Sequence, residues 1–312
     1  NTVSSAAVVE VVIPSIVTGD LELHSMTGSH SDDLDVNTVG NLNEIAIVVA
    51  GIPLFQTGDA AAYQSQAVQA AQVHASAGES IQKSGKLVIA TSPDFPPFEA
   101  LAADGSVEGI EIDIMNLVCE QLGVELVIEQ MDFDSVLPGV QAGKYDMGVS
   151  GISVTPARQE NTLFTDPYCL AAQAIVVLKD SAITCKADLE GKSVAVQTGT
   201  TAEEFCMGAG YTVNAYTANT DAQQALLTGK VDAWVIDDLT AAEMVKIYNA
   251  EKGDVLVILD EAMTTEPYAF AFAFGSEDLV AKINEVLSGL VADGTVAAIF
   301  EKYEAPYTAP TK

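Results

Sequence analysis

A short motif written twice constrains the fold more than any other feature of the sequence. Gly143-Lys144-Tyr145-Asp146 leads into the apolar stretch 147–149, and Gly229-Lys230-Val231-Asp232 leads into 233–236. A second echo precedes each: Gly85-Lys86 before 87–90, and Gly191-Lys192 before 193–196. Short apolar runs bounded by turn residues read as buried strands. Each half therefore opens and closes on a strand with helical segments between. That alternation implies an α/β chain with parallel sheets, whose ligands bind beyond the carboxyl ends of the strands. Four such ends carry candidate groups: Ser92 and Phe95, the loop from Ser150 to Arg158, the loop from Gln197 to Thr201, and Asp237.

The loop after the first Gly-Lys-x-Asp strand is the richest of the four. It reads DMGVSGISVTPAR over 146–158, with hydroxyls at Ser150, Ser153 and Thr155, and Gly151 between them. Pro156 suits the first turn of a helix, where its missing N–H is not needed, and the free amides of a helix N-terminus favour an anion. Arg158 falls in that turn and is the only arginine in a chain with twelve lysines. A guanidinium forks onto a carboxylate with two parallel hydrogen bonds, which an ammonium cannot do. The combination predicts a carboxylate receptor, and a surface arginine in an ordinary strand-loop-helix connection is its plain alternative.

The 197–201 loop, Gln-Thr-Gly-Thr-Thr, is another strand-to-helix turn, and it lacks the lysine of a phosphate-binding loop. Asp237 ends a strand where it can meet an ammonium group. Asp238 or Thr240 can cap the next helix, which leaves Asp237 free. Phe95, held by Pro96-Pro97, and Phe133 stand at strand ends where they can stack on a ligand side chain. Elsewhere, Ile110, Ile114, Leu117, Val118 and Leu122 form a helical stripe ending at Gly123, and a helix is expected over 135–141. Leu279, Ile283, Val286, Leu287 and Leu290 form a closing helix before Gly294. The apolar stretch 175–178 is expected to leave the first half as a linker strand and 268–274 to return to it, which makes a natural hinge.

The formal charge of −31 excludes a row of phosphates or an anionic membrane surface as partner, so no nucleic acid is expected. The chain starts at Asn1 with no basic segment ahead of its first apolar residues, as expected of a mature form whose signal has been removed. Cys119, Cys169, Cys185 and Cys206 lack metal-site spacing. Buried free thiols are expected, with a Cys185–Cys206 pair as the alternative. No His lies beyond His74, so no histidine can activate a nucleophile in the later part of the chain. No metal and no cofactor are expected.

Residues 1–83 differ in character. Before Lys83 there is no Lys or Arg, against nine carboxylates. Strands are expected over 8–17, 20–23 and 45–50, then a helix over 59–82. His24 and His30 near Asp32, Asp33 and Asp35 read as a solvated loop rather than a metal site. The segment is expected to anchor the chain or drive self-association.

Taken together, GKLVIATSPDFPPFE, GIEIDIMNLV, MDFDSVLPGVQAGKYDMGVSGISVTPARQENTLFTDPY, VAVQTGTTAE and GKVDAWVIDD resemble the polar-amino-acid family of bacterial extracellular solute-binding proteins, family 3. These receptors feed ABC importers, and the resemblance covers roughly 84–305. It implies a two-lobed periplasmic-binding-protein type II fold with hinge strands, located outside the cytoplasm and working with an ABC permease. The expected division is 1–83 as an extension, 84–177 plus 268–312 as the first lobe, and 178–267 as the second. The resemblance also implies that Arg158 binds the α-carboxylate of an amino acid, with Ser153 and the amide of Thr201. Asp237 and the Gly151 carbonyl would hold the α-ammonium, and Phe95 and Phe133 would sandwich the side chain. Ser92, Ser150, Gln197 and Thr200 would line its end. Members that bind basic or amide side chains often carry a carboxylate at the position of Ser92, and acid binders carry extra cations. A neutral amino acid is therefore expected. Some dehydratases of prephenate-like acids share this fold, with Glu99 or Glu266 as a candidate general acid; a binding protein and not an enzyme is the expectation.

Overall fold

The computed structural model describes residues 10–17, 20–27, 35–38 and 77–310, and the chain divides into two units, Asn1–Ala75 and Ser76–Lys312. In the first unit β1 (Glu10–Val17), β2 (Asp20–Thr27) and β3 (Asp35–Thr38) make an antiparallel sheet in the order β1-β2-β3. His24 is a strand residue, opposite Ile13 and Thr38, rather than part of a loop. His30 and the strand expected over 45–50 lie outside the described residues. So does the expected 59–82 helix up to residue 76; from residue 77 the chain forms α1 (Ala77–Ser84), which belongs to the second unit. There the amide of Gly78 donates to Asp278 Oδ2 at 2.8 Å.

The second unit begins with β4 (Lys86–Thr91), then β5 (Asp94–Phe95), β6 (Glu99–Leu101) and β7 (Val107–Glu108) as a small antiparallel sheet. Next come α2 (Ile110–Leu122), β8 (Glu125–Gln130), α3 (Phe133–Gln141), β9 (Met147–Gly148), α4 (Pro156–Gln159), β10 (Leu163–Phe164) and β11 (Cys169–Ala171). The chain continues through β12 (Gln173–Leu178), β13 (Ser193–Gln197), α5 (Thr201–Gly208), β14 (Thr212–Tyr216), α6 (Asn219–Leu227), β15 (Ala233–Asp237), α7 (Asp238–Lys252) and β16 (Leu256–Ile258). It closes with β17 (Glu266–Tyr268), β18 (Ala271–Phe272), α8 (Glu277–Ala292) and α9 (Thr295–Lys302).

Two mixed five-stranded sheets result, ordered β10-β18-β9-β4-β8 and β14-β13-β15-β12-β16. In each, three neighbouring strands run parallel: β8, β4 and β9 in one, β14, β13 and β15 in the other. An antiparallel strand then joins the third, β18 against β9 and β12 against β15. β12 and β18 therefore occupy equivalent places in opposite sheets. This corrects the sequence-based division at 177/178, which falls inside a strand of the second sheet. The two crossings are instead β11 and β17, paired antiparallel from Cys169↔Tyr268 to Ala171↔Glu266. Hydrophobicity alone could not place 173–178, because an apolar run says that a strand is buried and not in which sheet.

The helical stripes pack as their spacing predicts. Ile110, Ile114 and Val118 of α2 and Leu279, Ile283 and Leu287 of α8 are buried in one core, each worth about 1.5–3 kcal/mol for the water it sheds. Helix α2 stops at Gly123, which takes the left-handed conformation and donates its N–H back to Glu120. All four cysteines are free, with Cys185 partly exposed and the other three buried. Burial pushes the Cys119 thiol up to about 11 and that of Cys206 up to about 12. Among the described residues no single helix is long and apolar enough to cross a membrane.

Candidate functional site

The parallel strands of both sheets end at a shared cleft, and the loops that leave them build its walls. On the first wall, β9 ends after two residues and the chain turns at Gly151, where φ is +52°. A Cβ there would also lie 2.5 Å from the Phe95 ring, so backbone conformation and space both demand glycine. Thr155 caps α4 by accepting from the Arg158 amide at 3.2 Å, and Pro156 takes the first helical position. This fixes Arg158 with its guanidinium pointing inward, buried and 5.8 Å from the Phe133 ring centroid. Its Nη1 donates to the Ser153 carbonyl at 2.8 Å and its Nη2 to the Gly199 carbonyl, across the cleft, at 3.1 Å. A guanidinium has five N–H groups, so three remain for an anion.

On the second wall, Gln197 ends β13 and Thr200 caps α5, accepting from the Glu203 amide at 3.2 Å. Asp237 ends β15 at the N-cap position of α7 without capping it. Asp238 serves the helix amide instead, accepting from Leu239 N at 2.8 Å. The Asp237 carboxylate is buried and accepts a hydrogen bond from the Tyr268 hydroxyl. Burial, with Glu266 nearby, raises its pKa from 3.8 to about 7. At the hinge, Glu266 accepts from Ser153 Oγ at 2.6 Å, Thr201 Oγ1 at 2.7 Å and Thr264 Oγ1 at 2.7 Å.

Ten of the eleven candidates from the sequence line one cavity: Phe95, Phe133, Ser150, Gly151, Ser153, Arg158, Gln197, Thr200, Thr201 and Asp237. Ser92 is the exception. Its amide donates to Ser150 Oγ at 3.0 Å and its hydroxyl to Asp94 Oδ1 at 3.0 Å, so it stands behind the wall. Phe133 is the first residue of α3, not a strand-end residue ahead of the helix.

Sequence reasoning missed Asp94 and Glu111 behind the walls and read Glu99 only as a candidate general acid. Asp94 reaches across the cleft to accept from Gln197 Nε2 at 3.1 Å and from the amide of Asn219, the first residue of α6, at 2.8 Å. Glu99 and Glu111 are both fully buried. Glu99 Oε1 accepts from Ser150 Oγ at 3.0 Å, and Glu111 accepts from the Gly151 amide at 3.0 Å and from the Tyr168 hydroxyl. Burial and the neighbouring Glu111 charge hold the Glu99 carboxyl well above the usual range. The interaction between the two carboxyls raises Glu99 and lowers Glu111, so the proton they share is assigned to Glu99. A charge in the first turn of a helix, such as Glu111, normally reads as solvated, and only the tertiary partners reveal its burial.

A family model described as bacterial extracellular solute-binding proteins, family 3, matches residues 87–306. The chain belongs to that family. It is 28% identical over 227 residues to the L-cystine-binding protein TcyJ of Escherichia coli K12, covering 72% of this chain and 84% of TcyJ. A crystal structure of a mutant ArgBP from T. maritima superposes with a TM-score of 0.68 at 37% identity, covering 73% of this chain and 99% of that one. An ancestral arginine-binding protein bound to glutamine gives 0.66 at 36% identity, covering 71% and 99%. This member of the family is thus a two-lobed amino-acid-binding protein of the ABC-transport type and not an enzyme. Glu99 does not line the cleft, and Glu266 accepts hydrogen bonds from three hydroxyls at the hinge.

Proposed function

We propose that the cleft captures a free L-amino acid with an uncharged side chain outside the cytoplasm and, once closed, presents it to the permease of an ABC importer. The observation that carries this reading is that Arg158 and Asp237, from opposite lobes, line one cavity. Arg158, with the amide of Thr201 at the start of α5, takes the α-carboxylate. Asp237 and the Gly151 carbonyl take the α-ammonium. Each buried charge needs such a partner, because an unpaired one is strongly unfavourable. Phe95 and Phe133 flank the side chain, with Ser150, Gln197 and Thr200 at its end. The uncharged preference rests on Asp94, the carboxylate nearest that end, which is already engaged by Ser92, Gln197 and Asn219. Binding energy shifts the hinge at β11 and β17 toward the closed form that a transporter recognises. A thermal-shift screen of the twenty amino acids tests it, since a ligand of the folded state raises Tm; no shift with any of them would refute the receptor reading.

Residues 1–83 are assigned a role in self-association. Among the described residues β1 and β3 are the outer strands of that sheet, and outer strands can template pairing with another chain. Light scattering of the whole chain against one starting at Ser76 tests this, and equal masses would sink it.

A further inference from the structure

The hydroxyl protons that line the cleft all point away from it. Ser150 donates to Glu99, Ser153 and Thr201 donate to Glu266, and Thr200 donates to the Gln197 carbonyl at 2.6 Å. The Gln197 amide is oriented the same way. Its Nε2 faces two groups that can only accept, the Asp94 carboxylate and the Thr217 carbonyl at 3.0 Å. Its Oε1 accepts from Asn219 Nδ2 at 3.0 Å and keeps a second lone pair. The carboxylate and the carbonyl agree on one orientation, which fixes which end of the Gln197 amide is nitrogen.

We propose that the side-chain end of this cleft is an acceptor-only chamber: it selects amino acids whose side chains donate hydrogen bonds, and it rejects a second carboxylate. Asp94 is the positioning residue that sets this polarity, although it does not line the cavity. The Arg158 guanidinium is the one side-chain donor left among the lining residues, and the α-carboxylate uses it. A ligand carboxylate at the far end would meet lone pairs, and an aliphatic end would bury acceptors without a donor. Sites built around a hydrogen bond discriminate strongly against analogues that cannot make it. The inference rests on the amino-acid-receptor reading and not on the uncharged preference, because a cationic side chain also donates.

Dissociation constants measured by calorimetry for all twenty amino acids on the full chain test it. The tightest ligand is expected to carry a side-chain N–H or O–H, and glutamate and aspartate to bind at least tenfold more weakly than glutamine and asparagine. An apolar or acidic amino acid at the top of the ranking overturns the inference while leaving the receptor reading intact. Arginine at the top overturns the uncharged preference alone, and no binding by any amino acid overturns the receptor itself. In Asp94→Ala the carboxylate that accepts from Gln197 Nε2 is gone, so Gln197 is released to turn a donor inward. The glutamine-to-glutamate ratio is expected to shrink at least threefold in that variant. A weaker affinity for both at an unchanged ratio would make Asp94 merely structural and overturn its role.

Discussion

The two Gly-Lys-x-Asp segments build the same frame and end it differently. Asp146 Oδ2 accepts from the Val88 amide at 2.7 Å, and Asp232 Oδ2 accepts from the Ser193 amide at 2.8 Å, so each aspartate ties its strand to the parallel strand beside it, β4 or β13. Beyond that point the lobes diverge. β9 stops after two residues and gives way to the loop that delivers Arg158, whereas β15 runs for five and carries Asp237 at its last position. Strand length after a shared anchor thus decides which charge each lobe brings to the cleft. Opposed charges on a repeated frame suit a zwitterion, and the charged pair is the first place to break the comparison.

Removing the cation has the largest expected effect. Arg158→Ala leaves a ligand carboxylate buried without its partner, a loss of about 3 kcal/mol or more, which corresponds to over a hundredfold in affinity. The fold is expected to hold, because Arg158 comes from a short surface helix. Arg158→Lys is expected to recover only part of the affinity, since an ammonium cannot fork. Calorimetry on both variants measures this, and near-normal binding by Arg158→Ala would remove Arg158 from the site.

The anion on the other wall differs in being tunable. The raised pKa of Asp237 means that the free protein holds a proton there below about pH 7. An ammonium ligand needs the charged form, so affinity is expected to fall about tenfold per pH unit below that value. Asp237→Asn is expected to lose tens-fold in affinity at pH 8 and to lose the pH dependence as well. Stability moves the opposite way. From about pH 4 the unfolded chain releases this proton while the folded chain keeps it, so folding loses stability as pH rises, and the deficit is complete above pH 7. Without ligand, Asp237→Asn is therefore expected to melt higher than the parent at pH 8 and equally at pH 4. A variant that melts lower at pH 8 would contradict the burial argument.

These two residues were legible in the sequence for local reasons. Arg158 has no competitor among the basic residues for a planar anion, and the helix after Asp237 has its own cap in Asp238. What stayed illegible depends on packing between segments distant in sequence. Asp94 meets Asn219 across 125 positions, and Ser92 turns away from the cleft because Asp94 and Ser150 both engage it. β12 belongs to the second sheet because its neighbours β15 and β16 lie there, and its own residues would suit either sheet. A resemblance to a family carries over positions along the chain, whereas the support behind the walls depends on packing between distant segments.

That support is expected to matter less for binding than for stability. Glu111→Gln turns one of its two acceptor oxygens into a donor, so the Gly151 N–H or the Tyr168 O–H loses its acceptor in the core, at about 1–3 kcal/mol. Glu99→Gln is expected to be nearly neutral, because an amide N–H supplies the hydrogen that the acid shares with Glu111. Urea unfolding of both variants would show the asymmetry; equal losses would mean that no proton bridges the pair.

The smallest effect returns to the repeated aspartates, whose surroundings push them in opposite directions. Burial raises the Asp146 carboxyl, while the amide and hydroxyl of Ser193 lower that of exposed Asp232. Val88 offers no hydroxyl, so Asp146 holds its strand through one amide in a half-buried place, and water has little access to replace it. Asp146→Ala is expected to lose about 1 kcal/mol, the usual net value of a hydrogen bond. Asp232→Ala is expected to lose less than half of that at neutral pH, because solvent reaches Ser193. Asp232 has a depressed pKa, so what it does contribute is present at neutral pH and fades as the pH falls through its folded-state value. Its loss should therefore become undetectable in acid, whereas an Asp232→Ala deficit that persists there, or that exceeds the Asp146→Ala deficit, would show that the two anchors are not distinguished by solvent access.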